Sequence, residues 1–372
     1  MNSTNVCVPQ RGYNMKIYTV TFNRTTNWGA TFQEYALFAY LRKLGHDVKV
    51  VDYVPEFMLE KHRPINKIRN AGGIISKFQS LLLLPLYLDR AKKFREFTNK
   101  HIVYTVACKN INDIEKLSQP DLYICGSDQI WNTNFVGDDQ VYFLNFKTSA
   151  NKISYAASMG KDKISKTELD DLCNRISNIQ ITSVREDYLF KKLASRGISP
   201  LYHVLDPVFL LDKNEYIRIA DDSKSRNDYV LVYELANDYK CYQVARKLAD
   251  TYNLEIIQIN CFKKRYPVDK VLGNPSPTEF LRLFIDAKYV VTNSFHGTAF
   301  SIILNKQFYA IQLKTYNSRI ASLLKLVKLE NRIIREFDNN MKMEYINYEG
   351  EIEETLNEAV IASKDILEKS LI

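Results

Sequence analysis

The chain has 372 residues, more than one ordinary hydrophobic core accommodates, so two domains are expected. Hydrophobic residues at 46% and charged residues at 25% exclude a disordered chain. A balance of 51 basic against 43 acidic residues leaves a net charge of +8, which favours anionic partners such as phosphorylated metabolites or lipid head groups. No run of five Lys/Arg residues and no aromatic-basic module is present, which argues against nucleic acid.

Residues 1–14 are polar and read as a flexible extension rather than a signal peptide. An N-terminal α/β domain is expected over 15–205. Lys16 to Thr21 predicts a strand, Asn23 to Asn27 a polar loop, and Ala30 to Leu44 a helix with Gly45 as its stop. Asp47 to Val54 predicts the next strand. The stretch 74–88, rich in leucine and flanked by basic residues, is too short and too broken by Pro85 to span a bilayer. It reads either as a pair of helices covering the core or as a monotopic membrane patch. Strands at Asp121–Cys125, Ile153–Ala157 and Ile181–Val184 alternate with helices, which implies a parallel, doubly wound sheet.

The alternation restarts after Asp206-Pro207, giving a C-terminal α/β domain over 206–345. Tyr229–Leu235, Glu255–Asn260, Tyr289–Thr292 and Phe308–Leu313 predict strands. Ser276-Pro277-Thr278-Glu279 is a helix-opening capping box. Residues 346–372 predict an amphipathic helix that could cross back to the first domain. Two facing Rossmann-like domains are the expected architecture. The six cysteines form no CxxC pair or Cys/His cluster, so they read as free thiols of a reducing compartment, with no metal site.

Ligands of open α/β sheets sit where strands end and helices begin. Four such junctions carry polar groups. Asn27-Trp28-Gly29-Ala30 opens the first helix. Gly126 to Asn132 offers Ser127, Asp128, Gln129 and Trp131, a polar set beside an indole that suits a sugar, although Asp128 alone could cap a helix. Ser183-Val184-Arg185 places a guanidinium where it could grip an anion, or merely pair with Glu186 or Asp187. Thr292-Asn293-Ser294-Phe295-His296-Gly297 puts His296 at a strand-to-helix junction, a setting that favours a catalytic over a structural role.

Taken in order, these motifs, with Leu44-Gly45-His46-Asp47-Val48, Leu205-Asp206-Pro207-Val208 and Tyr316-Asn317-Ser318-Arg319, resemble the polysaccharide pyruvyl transferase family. The resemblance implies a GT-B-like fold and transfer of pyruvate from phosphoenolpyruvate to a sugar, without a cofactor. The product implied is a cyclic ketal, such as a 4,6-ketal on galactose, in bacterial capsule or exopolysaccharide synthesis. His296 and Asp128 are then the candidate catalytic groups. Arg185, at the cleft edge, and Asn293, Ser294 and Arg319, in the second domain, are candidate donor-binding residues. Asn27, Gly29, Ser127, Gln129 and Trp131 are candidates for the acceptor, on the first domain. The implied acceptor is a sugar or a polyprenyl-diphosphate-linked oligosaccharide at the cytoplasmic membrane face. Ser294 stands where better-known members carry an Arg, as Arg-Leu-His, and Arg319 stands where the family usually offers a Lys. The alternatives are a nucleotide-sugar glycosyltransferase of the same fold and a non-catalytic sugar-binding or scaffold protein.

Overall fold

The computed structural model describes residues 14–56, 81–222, 228–260, 266–313 and 318–371. The first half is built on β1 (Lys16–Val20), β2 (Asp47–Val50), β3 (Leu122–Cys125) and β4 (Asn151–Ser154), a parallel sheet ordered β2-β1-β3-β4. Bridges from Ile153 to Ile181 and from Ala157 to Val184 continue it into β5 (Thr182–Val184), which pairs with β6 (Leu201–His203). The second half is a six-stranded parallel sheet of β7 (Tyr229–Tyr233), β8 (Glu255–Ile259), β9 (Lys270–Leu272), β10 (Tyr289–Thr292), β11 (Gln307–Ile311) and β12 (Ile333–Ile334). Its order is β12-β11-β10-β7-β8-β9, so the chain reverses direction across the sheet between β7 and β10. In the first sheet the reversal lies between β1 and β3. Such switch points open a crevice at the carboxyl ends of the strands.

The helix α1 (Trp28–Lys43) explains how the halves meet. Asn27 caps it, Arg42 and Lys43 suit its carboxyl end, and Gly45 at φ +96° turns the chain away. Its buried residues run around most of the cylinder, from Trp28 and Phe32 to Glu34 and Leu37, which marks a helix enclosed on several sides. One core cluster accordingly spans both halves, joining Ile17, Phe32 and Leu37 to Phe280, Val290 and Phe300. Trp28 stacks on Phe280 at 5.1 Å and meets Tyr233 edge-on at 5.7 Å, while its indole N–H donates to Pro275 O at 3.2 Å. Over its other side lies the guanidinium of Arg90, 4.0 Å from the ring. Arg90 belongs to α2 (Leu84–His101) and donates to Gly273 O and Thr26 O, tying loops of both halves together.

Pro85 sits at the opening of α2, where a missing N–H costs nothing, and does not break it. Leu81, Leu82, Leu86 and Leu88 are exposed and cover no core, contrary to a core-covering role for these residues; Ile74 to Ser80 lie outside the described residues. The capping box at Ser276 is present and opens α9 (Pro277–Asp286). The C-terminal helix α12 (Glu351–Lys369) touches the first half through Tyr40, whose hydroxyl donates to Glu368 at 2.5 Å, and through Ser363, whose Oγ accepts from Leu205 N. Cys108, Cys125 and Cys241 are buried free thiols and Cys173 is partly buried. Among the described residues, no helix is long and apolar enough to cross a membrane.

Because Trp28 is wholly enclosed by groups from both halves, Trp28→Ala is expected to cost roughly 3–5 kcal/mol of stability. Urea unfolding measures this, and an unchanged midpoint would mean that the seam bears little of the stability.

Candidate functional site

Three strand exits of the first half converge. After β3, Gly126 adopts φ +122° and a Cβ there would run into the Tyr155 carbonyl, so the backbone approach requires glycine. Next to it, Ser127 Oγ lies 2.8 Å from Ala156 O and 3.2 Å from Asp206 Oδ2. After β5 comes Arg185, whose Nη1 donates to Asp206 Oδ2 and whose Nη2 lies 3.6 Å from Asp128 Oδ1. Glu186 is committed elsewhere, accepting from the Ser158 hydroxyl and from Gly160 N. After β6, Asp206 also caps a short 3-10 turn by accepting from Val208 N at 3.1 Å.

The second half supplies the other wall. β10 runs into α10 (Phe295–Ile303), so Phe295 and His296 form its first turn. His296 Nε2 lies 3.6 Å from Asp206 Oδ2, and its ring packs against Gly29, where any Cβ would overlap the imidazole. The N-terminus of α1 is therefore shaped around a histidine from the other half. Phe295 is flanked by two cations: Arg185 lies 4.6 Å and Arg319 5.9 Å from its ring centroid. Arg319 comes from the first turn of α11 (Ser318–Leu326). With the Gln129 carboxamide oriented to satisfy both groups, its oxygen accepts from Arg319 Nη1 and Nη2 at 3.2 and 3.3 Å.

Charge is concentrated here on buried side chains. Asp206 is fully buried, and burial pushes its pKa up, but Arg185 and His296 outweigh that and hold it well below the usual carboxylate range. Burial lowers Arg185, and the carboxylates of Asp206, Asp128 and Glu186 more than restore it. Arg319 is depressed by burial and by repulsion from Arg185, with Asp128, Glu186 and Asp206 opposing. Several buried donors have no partner within hydrogen-bond range: Arg185 Nε and Nη2, Arg319 Nε and His296 Nε2. Unsatisfied N–H groups on adjoining cations are suited to an incoming anion with several oxygens. Among the described residues no three His, Cys, Asp or Glu side chains gather as a metal site.

Of the residues singled out from sequence, His296, Arg185, Asp128, Arg319, Gln129 and Gly29 meet here. Others are occupied differently. Trp131 is 0% exposed in the core and bonds Tyr142 O, so it offers no face to a sugar. Asn27 and Ser294 spend their side chains capping α1 and α10. Asn293 accepts from Leu235 N and donates to Ala236 O, which fixes the loop after β7 rather than reaching a ligand. Ser127 serves Asp206. Sequence reasoning missed Asp206 itself, because Asp-Pro reads as a turn between domains; it also passed over Phe295. Asp206→Asn removes the nearest counter-charge of the buried Arg185 guanidinium and leaves only the longer contact to Asp128, which is expected to cost about 3–5 kcal/mol. Denaturant unfolding checks this, and a loss below 1 kcal/mol would mean that Arg185 finds another partner.

The polysaccharide pyruvyl transferase family model matches residues 27–314. No curated protein sequence matches. Among solved structures, a protein described as UDP-N-acetylglucosamine 2-epimerase from Listeria monocytogenes aligns over 95% of this chain and 90% of its own, with 10% identity and a TM-score of 0.51. S. aureus MnaA, solved with UDP, aligns over 86% and 84% with 12% identity and a TM-score of 0.50. At these identities the likeness concerns the fold alone, a GT-B-like pair of Rossmann-like halves. The family match is more specific, because it runs from the cap of α1 through β11 and takes in Gly29, Asp128, Arg185, Asp206 and His296. The chain belongs to the polysaccharide pyruvyl transferase family.

Proposed function

We propose that the chain transfers pyruvate from phosphoenolpyruvate to a sugar, forming a cyclic ketal and releasing phosphate, without a cofactor. The observation that carries this reading is the set of unpaired N–H donors on Arg185, Arg319 and His296 around one buried carboxylate, in a member of this family. The donor is small and carries a phosphate and a carboxylate, so two guanidiniums close to the Phe295 ring suit its two ends. In the reaction the methylene carbon of the donor gains a proton and becomes methyl. One sugar hydroxyl then attacks the adjacent carbon and loses its proton, the bond from that carbon to the phosphate oxygen breaks as phosphate leaves, and a second hydroxyl attacks the same carbon and gives up its own proton to the departing phosphate, closing the ketal. His296 suits proton transfer to the methylene carbon, with Asp206 Oδ2 lying 3.6 Å from its Nε2 to orient the ring. Asp128, half-buried at the rim beside Arg185, suits removal of the hydroxyl proton. The acceptor proposed is a hexose such as galactose in a bacterial surface polysaccharide.

The test is a donor panel. Phosphate release from phosphoenolpyruvate in the presence of galactosides is expected, with no nucleoside diphosphate from UDP-sugars. His296→Ala is expected to lower turnover at least about a hundredfold, the usual worth of a general acid or base. Full turnover in His296→Ala, or UDP release instead of phosphate, would overturn this reading.

The acceptor proposed for this site is carried on a polyprenyl diphosphate at the cytoplasmic face of the membrane. Support comes from the exposed Leu82, Leu86 and Leu88, with Lys92 and Lys93 nearby. Leu82→Asp with Leu86→Asp is expected to reduce co-sedimentation with phosphatidylglycerol vesicles severalfold; unchanged co-sedimentation would remove the membrane from this reading.

A further inference from the structure

The loops at the carboxyl ends of β7 and β8 carry an aromatic patch that the transfer chemistry leaves unused. Tyr239 opens α8 (Tyr239–Tyr252), Tyr242 follows one turn later, and Tyr266 approaches from the segment before β9. Tyr266 stacks on Tyr242 at 5.6 Å and 21°, and Tyr239 lies 5.6 Å from Tyr242 and 5.4 Å from Tyr266. The Tyr266 hydroxyl donates to Asn237 Oδ1 at 3.1 Å, which fixes the ring. Tyr239 is nevertheless 53% exposed, and Leu235, four residues before it in the chain, 52% exposed. Side chains held by mutual stacking but left open to water form a rigid surface rather than a core.

Its position gives this patch meaning. β7 borders the switch point, where open α/β sheets receive their ligands. The loop Leu235–Ala236 is bonded at both residues to the Asn293 side chain, three residues before His296. Patch and catalytic helix are thus set in one register. Asn293 acts here as a positioning residue between them.

We propose that Tyr239, with Tyr242 and Tyr266 packed against it and Leu235 exposed four residues before it, is a carbohydrate subsite for sugar units of the acceptor glycan beyond the one that is modified. The identity of that glycan as an acceptor rests on the proposed function; the binding does not. Sugar rings present C–H faces edged by hydroxyls. A tyrosine surface matches both, with a π face for the ring and phenol and carboxamide groups for the hydroxyls. A lipid chain would be better served by the bare leucines of α2, where no such polar groups are built in. The mutual stacking orders the rings before binding, so little side-chain entropy remains to be lost. The acceptor chain then lies along the second half of the molecule, whereas the sequence suggested the first.

Calorimetric titration of the full chain with tetrasaccharides of galactose, glucose and N-acetylglucosamine tests this. At least one should bind, and Tyr239→Ala should weaken it about tenfold, with Leu235→Ala moving in the same direction. Tyr239→Phe keeps the ring and loses only the phenol, so it should bind more tightly than Tyr239→Ala. Tyr345→Ala, which removes a tyrosine 78% exposed elsewhere, should bind as the parent does. Since Tyr239 is exposed, its variants should melt with the parent. Absence of binding by every tetrasaccharide, or equal affinity in Tyr239→Ala, would overturn the subsite. The titration needs no phosphoenolpyruvate. Tetrasaccharide binding through Tyr239 without phosphate release would retire the transfer reading alone, and phosphate release without such binding would retire the subsite alone.

Discussion

A single carboxylate, that of Asp206, organises the centre of this molecule. It is buried, and a buried anion is tolerated only when cations and donors surround it. Those partners come from separate segments: Arg185 after β5, Ser127 after β3 and His296 from the other half of the chain. If any of them moved away, a charge would remain in a medium that cannot solvate it. The carboxylate therefore specifies how three strand exits are arranged and how closely the second half must approach. Its value to folding is in that specificity, since the Coulombic gain of a buried pair is largely offset by desolvation.

The approach is made possible by a residue with no side chain. Gly29 accepts the His296 ring at a place where any Cβ would collide with it, and Trp28 next to it is locked by Phe280, Tyr233 and Arg90. The two neighbours thus perform opposite tasks at the same helix opening. One fills the seam with apolar surface, and the other leaves room for the polar centre. The aromatic cluster of Phe32, Phe280 and Phe300 continues from Trp28, so the opening of α1 is held by closely packed rings. Close packing of that kind transmits small displacements rather than absorbing them.

The parts legible in the sequence are those written in local chemistry. The capping box at Ser276, the stop at Gly45, the parallel alternation and the strand-to-helix setting of His296 each need only a few adjacent residues. What was illegible depends on burial or on partners distant in sequence. Ser294 and Asn27 can cap a helix or bind a ligand with the same atoms, and only the fold shows that the caps have claimed them. Trp131 has the composition of a sugar platform, but β3 and the turn at Tyr142 enclose it. Asp206 looked like a linker residue because its partners lie 21 and 79 positions away. The short edge strands β9 and β12 lacked enough periodic residues to signal themselves.

Position 294 shows how the same physics bears on the donor. The family resemblance set an arginine there, two residues before the histidine, and this chain has serine. In the structure that serine is buried at the N-cap of α10, where its oxygen accepts from Gly297 N. A guanidinium on this backbone would give up the cap and add a third buried cation beside Arg185 and Arg319, which already repel each other. Arg319 instead approaches Phe295 from α11 and is steadied by Gln129. The proposed donor clamp thus keeps two arginines with one reaching in from a different helix. The first turn of α10 therefore carries no arginine, and its Gly297 amide is held by Ser294.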